Sequence, residues 1–296
     1  MQNVVRMSVV TPIGNKLAVG VVVLSATGGL FACSSVQTQY TARAAQEFAA
    51  RPSPAALVLE PADVAALPDP VKRYLVYVGA VGQPRPWNMR AEFDAEMFQK
   101  PGAAPLAAVS EQNNFFDEPV RLFYMRSRMY GAPVGVFHDY GRGQAAMRVR
   151  VANLFDAVDL QGRDLFQAET VTMLNDMAVM APGSLADPRL SWRPLDDRSA
   201  EVTFSNGGHA VKATLLFNEQ SQLVDFVSDD RMALGEDGVL RKFRFTTPLR
   251  DYQQYGAYRL ASRGETVWHY PEGPFTYGRF VLKKIAYNVP AFVAPQ

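Results

Sequence analysis

The sequence predicts a mostly antiparallel β domain of the α+β class over residues 67–290, with a short leading helix and one helix inserted mid-sheet. Three observations carry this expectation. Apolar and polar residues alternate with a period of two from Met89 to Met97, and again on both sides of Asn206-Gly207-Gly208. That tripeptide tolerates positive φ and marks a tight hairpin. Finally, no series of strand–helix–strand units occurs, which argues against a parallel nucleotide-binding sheet.

Each element follows from local chemistry. In Leu67-Pro-Asp-Pro-Val-Lys-Arg-Tyr-Leu75, Asp69 is suited to cap a helix and Pro70 to open it. Val71, Leu75 and Val78 then form one apolar face, and Gly79 stops the helix. Met89, Ala91, Phe93, Ala95 and Met97 alternate with Arg90, Glu92, Asp94 and Glu96, the signature of a strand with one wet face. The pattern returns at Met147, Val149 and Val151, at Val202 and Phe204, and from Val211 to Phe217. Weaker strand segments are 109–116, 120–130, 136–140, 190–193, 223–228, 240–247, 255–262, 265–270 and 275–287. Between them, residues 164–180 place Phe166, Thr170, Met173, Met177 and Met180 near helical spacing. Asp164 is the expected cap, and Ala181-Pro-Gly183 ends the helix.

Residues 33–66 are rich in Ala, Gln, Ser and Pro without a sustained hydrophobic period. They read as a tether with room for a short helix around Tyr40 to Ala50, broken by Arg51-Pro-Ser-Pro54. Ahead of it, residues 1–16 contain Arg6 and Lys16 and no acid, and Leu17 to Leu24 is strongly apolar. Leu30-Phe31-Ala32-Cys33 follows, with Ser34-Ser35 behind it. This resembles the lipobox of bacterial lipoproteins. The resemblance implies a signal peptide over residues 1–32, cleavage before Cys33, and lipid on the Cys33 sulfur that holds the chain to a membrane. Ser34, where Asp would signal retention, resembles lipoproteins sorted to the outer membrane and facing the periplasm. An uncleaved inner-membrane anchor is the alternative, since no charge occurs between Leu17 and Ala42. Both readings place the body in the cell envelope, outside the cytoplasm. Cys33 is the only cysteine, so no internal disulfide exists.

Removing residues 1–32 takes Arg6 and Lys16 from the 30 basic residues and leaves the 29 acidic ones, a net charge of −1. A balance this even carries no electrostatic footprint for nucleic acid. His138, His209 and His269 stand far apart, and no HExxH, Cys–His set or DxDxDG loop occurs, so neither metal nor other cofactor is expected. His138-Asp139 suggests an oriented base, with Tyr140 or Ser127 as neighbours. Without a third member it reads instead as an edge-strand histidine beside a turn. Gly141-Arg-Gly143 reads as a hairpin turn, and Asp196-Asp197 and Asp229-Asp230 as turn or strand-end acids. Ser184 lacks the second glycine of a nucleophile elbow. No catalytic constellation survives, and no enzyme is expected. Methionine is flexible and polarisable, so Met173, Met177 and Met180 either line a pocket for an apolar ligand or pack as plain core.

Four groups of residues carry a wider resemblance. They are Leu67–Leu75 with Val81-Gly82, Tyr140–Met147, Leu190–Arg193 with Asp197–Ala200, and Trp268 through Pro271-Glu-Gly273 to Ile285–Asn288. From Leu67 to Asn288 the chain resembles a bacterial family of unknown function whose members are often exported or membrane-attached. More distantly, its strand layout is similar to the LolA/LolB and LppX group of lipoprotein carriers. That likeness implies an antiparallel half-barrel curled around an apolar cavity. The function it implies is non-catalytic carriage or sequestration of lipid or another apolar ligand. The alternative is a lipid-tethered interaction module of an envelope assembly, with an enzyme in third place. Cavity volume separates the first two, since a carrier needs several hundred cubic ångströms of dry pocket.

Overall fold

The computed structural model of the protein describes residues 35–235 and 237–294. The expected signal peptide and Cys33 therefore lie outside the described residues. Two helices come first, α1 (Val36–Ala50) and α2 (Asp69–Tyr77). An antiparallel meander follows: β1 (Asn88–Met97), β2 (Leu106–Phe115), β3 (Val120–Met129), β4 (Ala132–Gly141), β5 (Gln144–Val151) and β6 (Phe155–Gln161). Helix α3 (Arg163–Val179) leads to β7 (Leu190–Asp196), β8 (Ser199–Asn206), β9 (His209–Phe217) and β10 (Leu223–Ser228). The short strands β11 (Met232–Leu234), β12 (Leu240–Lys242) and β13 (Arg244–Thr246) precede β14 (Leu249–Tyr255), β15 (Tyr258–Tyr270) and β16 (Gly273–Tyr287).

One 14-stranded sheet results, in the order β6-β5-β4-β3-β2-β1-β16-β15-β13-β10-β9-β8-β7, with β14 paired to β15. It is large, curved and open, and β11 and β12 form a separate hairpin. Strands β6 and β7 are the two outer edges, and α3 joins them across one face. Laid flat, the path from β6 to β7 would span roughly 58 Å at the usual strand spacing. The 17 residues of α3 cover about 25 Å of that distance, and residues 180–189 complete the link to β7. The wings curl toward each other and meet at one end. There Asn206 Nδ2 donates to Tyr140 Oη at 2.7 Å, and Arg189 Nη1 donates to the Asp117 carbonyl at 2.9 Å. The β8–β9 turn is the expected tight hairpin, with φ of 56° at Gly207 and 79° at Gly208. Gly207 is required twice over, because a Cβ there would also lie 2.6 Å from Phe166 Cζ.

Helix α3 lies on the concave face and is buried on most sides, with its buried Asn175 and Asp176 hydrogen-bonded to neighbouring residues. Its cap differs from expectation. Gly162 occupies the N-cap and Asp164 sits inside the first turn, where a carboxylate still complements the helix dipole. In α2 the leading residue is likewise Asp69 itself, paired with Lys72 at 2.6 Å, and Gly79 follows with φ of 74°.

The tether expectation needs correction over residues 36–50, which form α1 and pack on the convex face of the sheet. Val36, Tyr40, Ala44 and Phe48 make a stripe at four-residue spacing against Phe115, Val120, Leu122, Tyr124 and Phe137. Ser35 caps the helix, its Oγ accepting from the Thr38 amide at 3.0 Å. The Tyr40 hydroxyl donates to Glu111 at 2.7 Å and accepts from Asn113 at 2.6 Å. Arg51 closes the far end on Glu47, Asp117 and the Glu118 carbonyl. The stripe is one residue wide and flanked by Gln37, Gln39, Arg43 and Gln46, so its period is diluted in the sequence. No helix among the described residues is long and apolar enough to cross a membrane.

Candidate ligand cavity

The register sets one end of the half-barrel apart from the other. Asn88, Phe115, Val120 and Gly141 share the end where the wings meet, whereas Met97, Leu106 and Met129 lie at the opposite end. Between α3 and the concave wall lies a half-open cavity of about 440 Å³. Its lining is mainly apolar. Strands β1, β3 and β5 supply Phe93, Met97, Phe123, Met125, Met147 and Val149. Phe280 and Leu282 face it from β16, and Trp268 and Tyr270 from β15. The β11–β12 hairpin overhangs it with Met232, Ala233, Leu234 and Leu240. The face that α3 turns to the cavity carries Leu165, Ala168, Thr172 and Val179, spaced three or four residues apart or by multiples of these. A more open groove of about 870 Å³ lies on the convex side beside Ser35 and Val36, but Asp94, Arg126 and Arg128 line it.

A buried charge network closes the inner wall. Arg121 Nε donates to Asp176 at 2.7 Å and Nη1 to Glu169 at 3.3 Å. Asp176 also accepts from Gln112 at 3.0 Å and Asn114 at 2.9 Å, and His138 Nδ1 meets Glu169 Oε1 at 2.8 Å. Burial opposes charge on Glu169, but His138 and Arg121 outweigh it and hold its carboxyl down at about 2. The network thus pairs Arg121 with both acids and His138 with Glu169, and ties α3 to β2, β3 and β4. It contains no aligned nucleophile beside His138.

The methionine stripe divides between the two sequence readings. Met180 lines the cavity. Met173 and Met177 pack in the main core at 0% and 1% exposure, on the other side of α3. The His138-Asp139 pair also separates, because neighbours in a strand face opposite ways. His138 turns to the cavity, while Asp139 accepts from Arg43 of α1 at 3.0 Å. Ser127 is occupied elsewhere, donating to the Ala107 carbonyl at 2.7 Å, and Tyr140 Oη meets Thr170 and Asn206. The sequence reading missed Arg121, Glu169, Asp176 and Arg231. One signal was present: Glu169 and Asp176 are two acids seven residues apart within the helix that carries the methionines.

Fold and cavity together define an open antiparallel half-barrel, crossed by a helix on its concave side and holding a ligand-sized apolar cavity. The chain belongs to the family of unknown function DUF6544, whose model matches residues 57–280. Its resemblance to a bacterial family of unknown function is borne out by that match. No curated protein matches the sequence significantly. Similar solved structures include a domain from Vibrio parahaemolyticus described as an outer membrane lipoprotein-sorting protein. It is 8% identical with a TM-score of 0.41, over 68% of this chain and 85% of that one. A DUF1329 family protein from Desulfovibrio piger is 11% identical with a TM-score of 0.43, over 79% and 95%. A LolA superfamily protein from Nitrosomonas europaea is 9% identical with a TM-score of 0.34, over 73% and 93%.

Proposed function

We propose that this protein binds or carries a lipid or another apolar ligand, without catalysis, while tethered in the bacterial cell envelope by lipid on Cys33. The observation that carries the first part is the cavity. At about 440 Å³ it falls within the roughly 300–1,000 Å³ usual for small-molecule sites, and its lining is mainly aliphatic, aromatic and methionine. A monomer gains nothing in stability from leaving such a volume unfilled, since each void forfeits dispersion contacts. An occupant of matching chemistry restores them.

Thr172 and Val179 stand on the cavity face of α3 and are only partly buried, so a large side chain there fills the void without displacing core. Thr172→Trp is expected to abolish uptake of the neutral fluorescent probe N-phenyl-1-naphthylamine, with a thermal transition close to the parent's. Unchanged uptake by a folded Thr172→Trp protein would remove the cavity from the reading. The tether is tested separately by mass spectrometry of the mature N-terminus from membranes. A chain beginning at Cys33 with acyl mass is expected, and an intact, unacylated residue 1–33 segment would overturn that part.

A further inference from the structure

The cavity contains one cation with no direct ion-pair partner among the described residues, although Glu169 feels its charge at longer range. Arg231 stands at the base of the β11–β12 hairpin and lines the cavity. Its guanidinium lies 4.1 Å from the ring centre of Phe245, 5.0 Å from Trp268 and 5.9 Å from Tyr277. Nη1 donates to Tyr277 Oη at 2.7 Å, and Nε is shut from solvent with no hydrogen-bond partner. No carboxylate among the described residues comes within 4.0 Å of it. The cavity's other arginine differs: Arg121 is held by Asp176 and Glu169. Both oxygens of Glu169 are already taken, by His138 and Arg121. Glu265, the remaining acid on the wall, is paired outward with Arg250 and Arg279.

A guanidinium in apolar surroundings needs an anion to offset its lost hydration, and its planar fork matches the paired oxygens of a carboxylate or phosphate. The aromatic rings hold the group by its faces, Tyr277 takes one N–H, and Nε is left without an acceptor. Its place fits a head group. Tyr277 precedes Gly278, the partner of Met97, so the cage lies toward the open end of the half-barrel. The apolar lining continues inward from there past Phe280, Phe93 and Phe123.

Building on the carrier reading, we propose that the cavity takes a single-chain anionic amphiphile, its carboxylate or phosphate seated on Arg231 and its acyl chain in the apolar interior. The test compares dodecanoate, dodecyl phosphate and uncharged 1-dodecanol, each titrated into the purified intact chain by calorimetry. At least one anionic probe is expected to bind about tenfold or more tighter than dodecanol, the effect of one charge-assisted hydrogen-bonded contact. Which anion binds better distinguishes a carboxylate head from a phosphate head. Arg231→Gln is expected to retain dodecanol and lose the anion preference, while Arg231→Lys keeps part of it. Equal affinity of the wild-type chain for all three probes would overturn the head-group assignment and leave the carrier reading standing. An anion preference that survives in Arg231→Gln would also overturn it. Binding of none of the three would instead overturn the carrier reading on which it rests.

Discussion

Replacing Arg121 with methionine is expected to destabilise the protein by about 3–5 kcal/mol at neutral pH, the usual cost of removing one partner from a buried ion group. The side chain is 8% exposed and holds Asp176 and Glu169, both buried on α3. Methionine matches the volume and leaves two carboxylates short of their cation. The effect carries a pH signature. Glu169 titrates at about 2 when folded, below its ordinary 4.5. In the parent it therefore contributes stability that is fully present above about 4.5 and lost as pH falls through about 2. The deficit of Arg121→Met should be largest at pH 7 and shrink at pH 3, as read by urea denaturation. Adding Glu169→Gln and Asp176→Asn to the variant should recover part of the loss at pH 7. A variant as stable as the parent at pH 7 would contradict this reading of the network.

Met177→Asp is expected to cost about 4–5 kcal/mol, combining a lost core side chain with a buried, unpaired carboxylate. With Met177 1% exposed in the main core, the variant reports on packing rather than on the ligand. Met177→Leu keeps volume and polarity class, and should cost less than about 1.5 kcal/mol. Thermal or urea denaturation of the pair separates charge from shape. Equal stability of the two variants would place Met177 in a wet environment, contrary to the structure.

The parts of the fold that were legible in sequence are those with one dry and one wet face. Strands β1, β8 and β9 alternate in burial much as Met89–Met97 and Val202–Phe217 alternate in polarity. Strands β2 and β3 gave weaker signals because α1 covers one face and α3 or the cavity the other. Val120-Arg121-Leu122-Phe123-Tyr124-Met125 is buried throughout and shows no period of two. The sequence allowed a short helix around Tyr40 to Ala50 but not its docking as α1, because its partners on the sheet lie some 70–100 positions away. β6 escaped notice because Phe155, Ala157, Val158 and Leu160 do not keep a period of two and Phe155 is exposed.

The site was less legible than the fold. Helix α3 could be located, but not which of its faces met the cavity, because apolar and polar residues fall on both faces. The methionines marked the core side, apart from Met180. The Arg231 cage depends on register: Phe245 pairs with Trp268 across β13 and β15, and Trp268 with Phe275, two residues from Tyr277 on the same face of β16. No local pattern in residues 231, 245, 268 and 277 encodes that meeting.

Photocrosslinking bears most directly on the claim that the cavity holds the ligand. A diazirine placed along the chain of a twelve-carbon alcohol would be equilibrated with the intact protein, irradiated, and its adducts mapped by peptide mass spectrometry. Adducts are expected on the cavity face of α3, at Ala168, Thr172 or Val179, and on facing Phe123, Met125 or Phe280, and they should disappear in Thr172→Trp. Adducts confined to the convex groove beside Ser35 and Val36, or a cavity face left unlabelled at saturating probe, would contradict the account.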